Sequence, residues 1–71
     1  MKYAIVYEKT ATGYSAFAPD LPGCIAAGSG LGETAELMRG AIEMHLESMR
    51  QDGDPIPEPT TEVDYIEAPA A

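Results

Sequence analysis

Apolar residues recur along this chain with two periods, and the switch between them locates its elements. Over residues 2–9 the period is two: Tyr3, Ile5 and Tyr7 fall on one face of a strand, Ala4 and Val6 on the other. Both faces are apolar and rich in β-branched and aromatic side chains, which predicts a central strand covered on both sides. Thr10-Ala11-Thr12-Gly13 reads as a hairpin connection, with Gly13 available for a positive φ. Residues 14–18, YSAFA, then form a second, antiparallel strand. In Pro19-Asp20-Leu21-Pro22-Gly23, Pro22 and Gly23 fit the two central positions of a type II turn. Residues 24–28 make a short third strand whose alanines and glycine let another element pack closely over it.

Past Ser29 the period lengthens to that of a helix, over residues 30–52. Ser29 is a candidate N-cap, Glu33 favours the first turn, Gly53 supplies the left-handed stop and Pro55 blocks continuation. That helix is about 22 residues, near 33 Å. Leu31, Ala35, Met38, Ile42, Leu46 and Met49 make its apolar stripe, with His45 inside it. Leu37, Ala41 and Met44 widen the stripe, and Glu36, Arg39, Glu43, Glu47 and Arg50 mark the wet face. Gly40 costs about 1 kcal/mol against alanine mid-helix. It either permits close approach of a strand or second helix, or is simply tolerated.

The three prolines of residues 54–59 predict an extended return. Residues 62–67, EVDYIE, alternate again and read as a last strand, and Ala68-Pro69-Ala70-Ala71 as a frayed end. The expected fold is α+β, β-β-β-α-β: one domain over residues 1–71 with a four-stranded mixed sheet in order 3-2-1-4 and one long helix on one face. A right-handed crossover leads through the helix to a parallel fourth strand. The uncovered face, carrying either the Tyr3, Ile5, Tyr7 set or the Ala4, Val6 set, would be an interaction surface.

Length changes this picture most. A chain of 71 residues buries only about 60% of the surface its unfolded form exposes, and such domains usually need a staple. One cysteine excludes an internal disulfide, and one histidine far from it argues against a structural zinc. Oligomerisation is the remedy left. No apolar run approaches the ~20 residues of a membrane span, and no signal peptide precedes the first strand. A lone thiol fits a reducing compartment, so a cytoplasmic location is expected. The net charge is −8, and from Glu33 onward ten acids face only Arg39 and Arg50. Such a field disfavours direct nucleic-acid binding. It suits a basic partner, or simply keeps a small protein soluble.

Candidate chemistry is sparse. His45 lies in the apolar stripe without a nucleophile or orienting group nearby in sequence. Cys24 follows a Pro-Gly turn; a Cys24–His45 pair is conceivable, but no cation in sequence lowers the thiol pKa. Glu36, Glu43 and Glu47 fit a solvated helix face better than a metal cluster. Gly28-Ser29-Gly30-Leu31-Gly32 lacks a phosphate-loop lysine and the full dinucleotide spacing. No enzyme, cofactor or metal is expected.

The motifs together are similar to those of the HicB family of antitoxins. The resemblance lies in Gly13-Tyr14-Ser15-Ala16-Phe17, Pro19-Asp20-Leu21-Pro22-Gly23-Cys24, Ala41-Ile42-Glu43-Met44-His45-Leu46-Glu47 and Asp52-Gly53-Asp54-Pro55-Ile56-Pro57-Glu58-Pro59, and it covers nearly the whole chain. It implies a partly degraded RNase H-like fold that binds HicA, a small basic RNA-cleaving toxin, and masks its active site. It is closest to the short form, without the C-terminal DNA-binding domain through which longer members repress their operon. Gly30 and Gly32 depart from the family pattern and predict a loose first helical turn. Nuclease activity in an RNase H-like fold needs an acid in the middle of the first strand, where this chain has Ile5 and Val6. The expected function is therefore a non-enzymatic antitoxin module that neutralises a HicA-like toxin and self-associates as a dimer or tetramer. Tyr3, Ile5, Tyr7, Tyr14 and Asp20 are its candidate partner-binding residues. A second reading is an orphan homo-oligomer without a toxin.

Overall fold

The computed structural model describes residues 1–70; Ala71, the last residue of the tail expected to fray, lies outside the described residues. Three strands, β1 (Val6–Lys9), β2 (Tyr14–Phe17) and β3 (Ile25–Gly28), precede one helix, α1 (Leu31–Asp52). The strands form an antiparallel sheet in order β1-β2-β3. The α+β class stands. The four-stranded mixed sheet in order 3-2-1-4 does not, because residues 62–67 form no strand. The parallel crossover falls with it, and β1 is an edge strand rather than the central one. Alternation describes what a segment would bury if it were paired; it does not bring a partner edge to it.

Register assigns the faces. Val6 stands opposite Phe17 and Phe17 opposite Ile25; Tyr7 stands opposite Ala16 and Ala16 opposite Ala26. Ala16 is buried, and α1 packs on β2 and β3. The Tyr7 set therefore faces the helix, and the Val6, Phe17, Ile25 set faces away from it. The core is small: Ala16, Ala18, Leu21, Cys24 and Met38, with Tyr3, Ile5, Ala26, Ala41, Ile42 and Leu46 packed around it.

Two glycines let the layers meet. A Cβ at Gly13 would overlap the carbonyl oxygen of Gly28, and one at Gly28 would lie 2.7 Å from the Thr34 hydroxyl. Gly13 is thus needed for close approach and not for a positive φ, which among the glycines belongs to Gly23 and Gly53. The expected type II turn is present: Cys24 N–H donates to the Leu21 carbonyl at 3.0 Å, and Gly23 has φ 83°. A turn just before it closes from Leu21 N–H to the Ala18 carbonyl at 3.0 Å. The paired turns drive Leu21 into the core, where it is 0% exposed.

The N-cap of α1 is Gly30, not Ser29, and it offers no side-chain cap. Ser29 lies one residue earlier and donates its N–H and hydroxyl to the Glu33 carboxylate at 3.1 and 3.0 Å. The buried Thr34 hydroxyl bonds the Gly30 carbonyl at 2.7 Å. These contacts steady the turn that Gly30 and Gly32 leave weak. At the other end Gly53, at φ 73°, donates to the Arg50 carbonyl and Asp54 to the Met49 carbonyl, a Schellman stop.

The molecule measures 50 × 26 × 16 Å, with a radius of gyration of 14.1 Å. A compact chain of this length has a radius near 11 Å. A helix of ~33 Å laid on strands of ~13 Å overruns the sheet, and the tail adds to the length.

Candidate protein-binding surfaces

Each free edge of the sheet forms a shallow groove with α1. Along β3 the groove is lined by Ile25, Ala26, Ala27, Leu37, Ala41 and Met44, with Gly40 on its floor and Glu36 at its rim. Ile25 is 69% exposed, Met44 75% and Leu37 48%. The helical stripe is wider than the sheet beneath it, so the Leu37 and Met44 that widen it stay outside the core. A Cβ at Gly40 would meet nothing within 4 Å. No close approach within the chain requires that glycine. The groove continues across the outer sheet face through Phe17 and Ile25 to Glu8. No lysine or arginine lines either part.

The β1 edge differs. Tyr3, Ile5 and Tyr7 line a groove against Met38 and Ile42, and Lys2, Arg39 and Glu43 stand around it. The structure thus brings together three of the five predicted partner residues. Tyr3 and Ile5 also pack on the core, and the Tyr3 hydroxyl donates to the Pro57 carbonyl at 2.5 Å. Tyr14 is set apart from them. It lies opposite Lys9 and Gly28, at the sheet end where α1 begins.

Asp20 is engaged within the chain. Its carboxylate accepts the N–H groups of Thr60 and Thr61, both at 3.0 Å, and their hydroxyls at 3.1 and 2.8 Å. These bonds, those from Thr61 foremost, hold its pKa below the ordinary 3.8. Asp20 and Tyr3 together fasten residues 57–61 near the start of β1. Beyond Thr61 the chain is released: Tyr65 is 93% exposed and Ile66 89%, and no element forms among the described residues.

Cys24 and His45 line one small hollow with Ala41 and Met44. Cys24 is buried, and that burial pushes its thiol pKa up, away from a thiolate nucleophile. Glu47 bonds Arg50 at 3.2 Å and Gln51, and Glu36 lies 3.8 Å from Arg39, all on the exposed helix face. Among the described residues no group of three or more His, Cys, Asp or Glu is placed to hold a metal ion, and no helix is long and apolar enough to cross a membrane. Sequence reasoning missed Phe17, Ile25, Leu37 and Met44 as an exposed set. The signal that could have found them was a helical stripe too broad for a three-stranded sheet.

Comparison with known proteins agrees with this geometry. Residues 3–70 match the family described as HicB-like antitoxin of bacterial toxin-antitoxin systems. A protein of Haemophilus phage HP1 from its rep-hol intergenic region is 38% identical over 69 residues, which cover 97% of this chain and 52% of the relative; the chain spans about half that relative's length. A UPF0150 protein of Archaeoglobus fulgidus is 42% identical over 57 residues, covering 76% of this chain and 83% of the relative. A chain in the solved HicA3 and HicB3 toxin-antitoxin complex superposes with a TM-score of 0.73 at 30% identity, over 84% of this chain and 70% of that one. Three antiparallel strands, one long helix and a match across nearly every residue place the chain in the HicB-like antitoxin family.

Proposed function

We propose that the protein is a non-enzymatic antitoxin that neutralises a HicA-like RNA-cleaving toxin in the cytoplasm by binding it. The observation that carries this reading is the likeness, at 30% identity, to a chain from a complex of HicA3 with HicB3. The β3-edge groove is the surface we assign to the toxin. Its exposed apolar centre of Ile25, Leu37 and Met44 supplies burial, and Glu36 at its rim suits a basic partner. A thiol held protonated and carboxylates spread along a wet helix support a role without chemistry of its own.

The test is co-expression with a small basic toxin encoded beside the gene. Growth should be rescued, the two proteins should co-purify, and RNA cleavage by the toxin should stop. The antitoxin alone should cleave neither RNA nor DNA with Mg²⁺ or Mn²⁺. Failure of rescue with every adjacent frame would remove the toxin from the reading. The alternative is then an orphan homo-oligomer, favoured by the small core, with self-association intact and no toxin bound.

A further inference from the structure

We propose that residues 62–67 are a strand donated to the β1 edge of a second copy of this chain, so that two copies exchange tails. The donor segment has the alternation of a strand, with Val63 and Tyr65 on one face and Ile66 on the other, yet it forms no element and leaves these side chains exposed. Among the described residues the one hydrogen bond made beyond Thr61 is local, from Tyr65 N–H to the Asp64 carboxylate. The acceptor is β1. Strand β2 pairs one side of it, which leaves a row of backbone N–H and C=O groups on the other. Val6 on one face of β1 and Tyr7 on the other give Ile66 and the Val63, Tyr65 pair an apolar neighbour each.

Charge selects a second copy as the occupant. The donor carries Glu62, Asp64 and Glu67 and no cation, whereas three of the chain's four cations, Lys2, Lys9 and Arg39, lie along the β1 edge or its groove. Glu8 and Glu43 stand beside them and offset part of that charge. The Arg39 contact with Glu36 is 3.8 Å long and solvent-exposed, so it competes weakly. Surface area points the same way. The chain exposes 5425 Å², where a compact monomer of its 7.5 kDa exposes about 4,200 Å². The excess of roughly 1,200 Å² exceeds the ~800 Å² that each partner gives to a standard interface. Asp20 and Tyr3 fix the base of the donor near the start of β1, so the segment leaves a defined point on each copy.

Sedimentation equilibrium at tens of micromolar, without toxin, tests this. The full chain should have twice its monomer mass, and a chain ending at Thr61 should be monomeric with an unchanged far-UV spectrum. Reversing the edge with Lys2→Glu and Arg39→Glu should weaken association at least tenfold. Adding Glu62→Lys and Asp64→Lys to the same chain should restore it. A monomeric full chain overturns the proposal and leaves the lysines as guards against edge pairing. A dimer that survives truncation overturns it as well, and if the truncated dimer no longer binds a toxin, the tail belongs to the toxin instead. Loss of the antitoxin reading alone would leave these masses unchanged.

Discussion

The two edges of the sheet are built from the same backbone pattern and furnished in opposite ways. At β3 the exposed positions are Ile25, Leu37 and Met44, the floor is Gly40 with neighbouring alanines, and the nearby charge is acidic. At β1 the apolar residues are Tyr3, Ile5 and Tyr7, half-covered by the helix, and the charges beside them include Lys2 and Arg39. Unpaired strand edges attract one another, and a chain with two of them risks open-ended assembly. Opposite charge on the two sides gives each a different preferred partner, because electrostatic complementarity sets specificity more than affinity. On the two proposals above, one small domain would hold a basic toxin at β3 and an acidic tail at β1 together.

The harshest way to break the comparison is to remove what both edges share. Leu21 is fully buried between two consecutive turns. Leu21→Ala should cost about 2–5 kcal/mol, a large part of the stability of so small a core. Urea denaturation should show it, with toxin binding and self-association lost together. If one function survives with the fold destabilised, the edges rest on separate supports.

The next test separates them. Ile25→Asp with Met44→Asp places two charges in the centre of the β3 groove. Toxin affinity should fall about 30-fold or more, equivalent to ~2 kcal/mol at a buried interface centre. The sedimentation mass should not change. Unaltered toxin affinity in calorimetry would sink the assignment of β3, and a change in mass would mean the two edges are not independent.

Gly40→Ala gives a smaller, signed effect. No atom within 4 Å awaits the new methyl group, so the isolated chain should gain about 1 kcal/mol from helix propensity. If the groove floor is where the toxin approaches, the same methyl should weaken binding while it raises the unfolding midpoint. A gain in stability with equal toxin affinity would make the glycine merely tolerated.

How much of this was legible in the sequence follows a physical division. The first three strands, the Pro22-Gly23 turn and the helix with its Gly53 stop were readable because local chemistry specifies them. Their backbone bonds close within a few residues or to an adjacent strand. The strand expected over residues 62–67 failed because pairing is a long-range choice that alternation cannot make. Asp20 shows the same limit. Its place in an exposed turn suggested a partner site, and nothing in the spacing reveals that Thr60 and Thr61, 40 residues on, occupy all four of its bonds. The β3 groove was half-legible. Leu37 and Met44 were visible as a broad stripe, but only the three-stranded sheet shows that they exceed what it can cover.

The finest test concerns the clamp at the foot of the β1 edge. The folded pKa of Asp20 lies below its unfolded value near 3.8, because the threonine N–H and hydroxyl groups favour the carboxylate. The stabilisation is therefore complete above the unfolded value and is lost as pH falls through the lower, folded one. At neutral and mildly acidic pH the clamp holds, and it weakens only once the pH has fallen below 3.8. Asp20→Asn should reproduce that weakening at pH 7, since an amide replaces one accepting oxygen with a donor. Faster hydrogen exchange is expected at the amides of Thr60 and Thr61, with the unfolding midpoint almost unmoved. Self-association should weaken, because the donated segment loses its fixed base, while binding at β3 stays intact. If exchange at Thr60 and Thr61 is unchanged but the midpoint drops, the carboxylate serves the turn beneath it and has no part in aiming the tail.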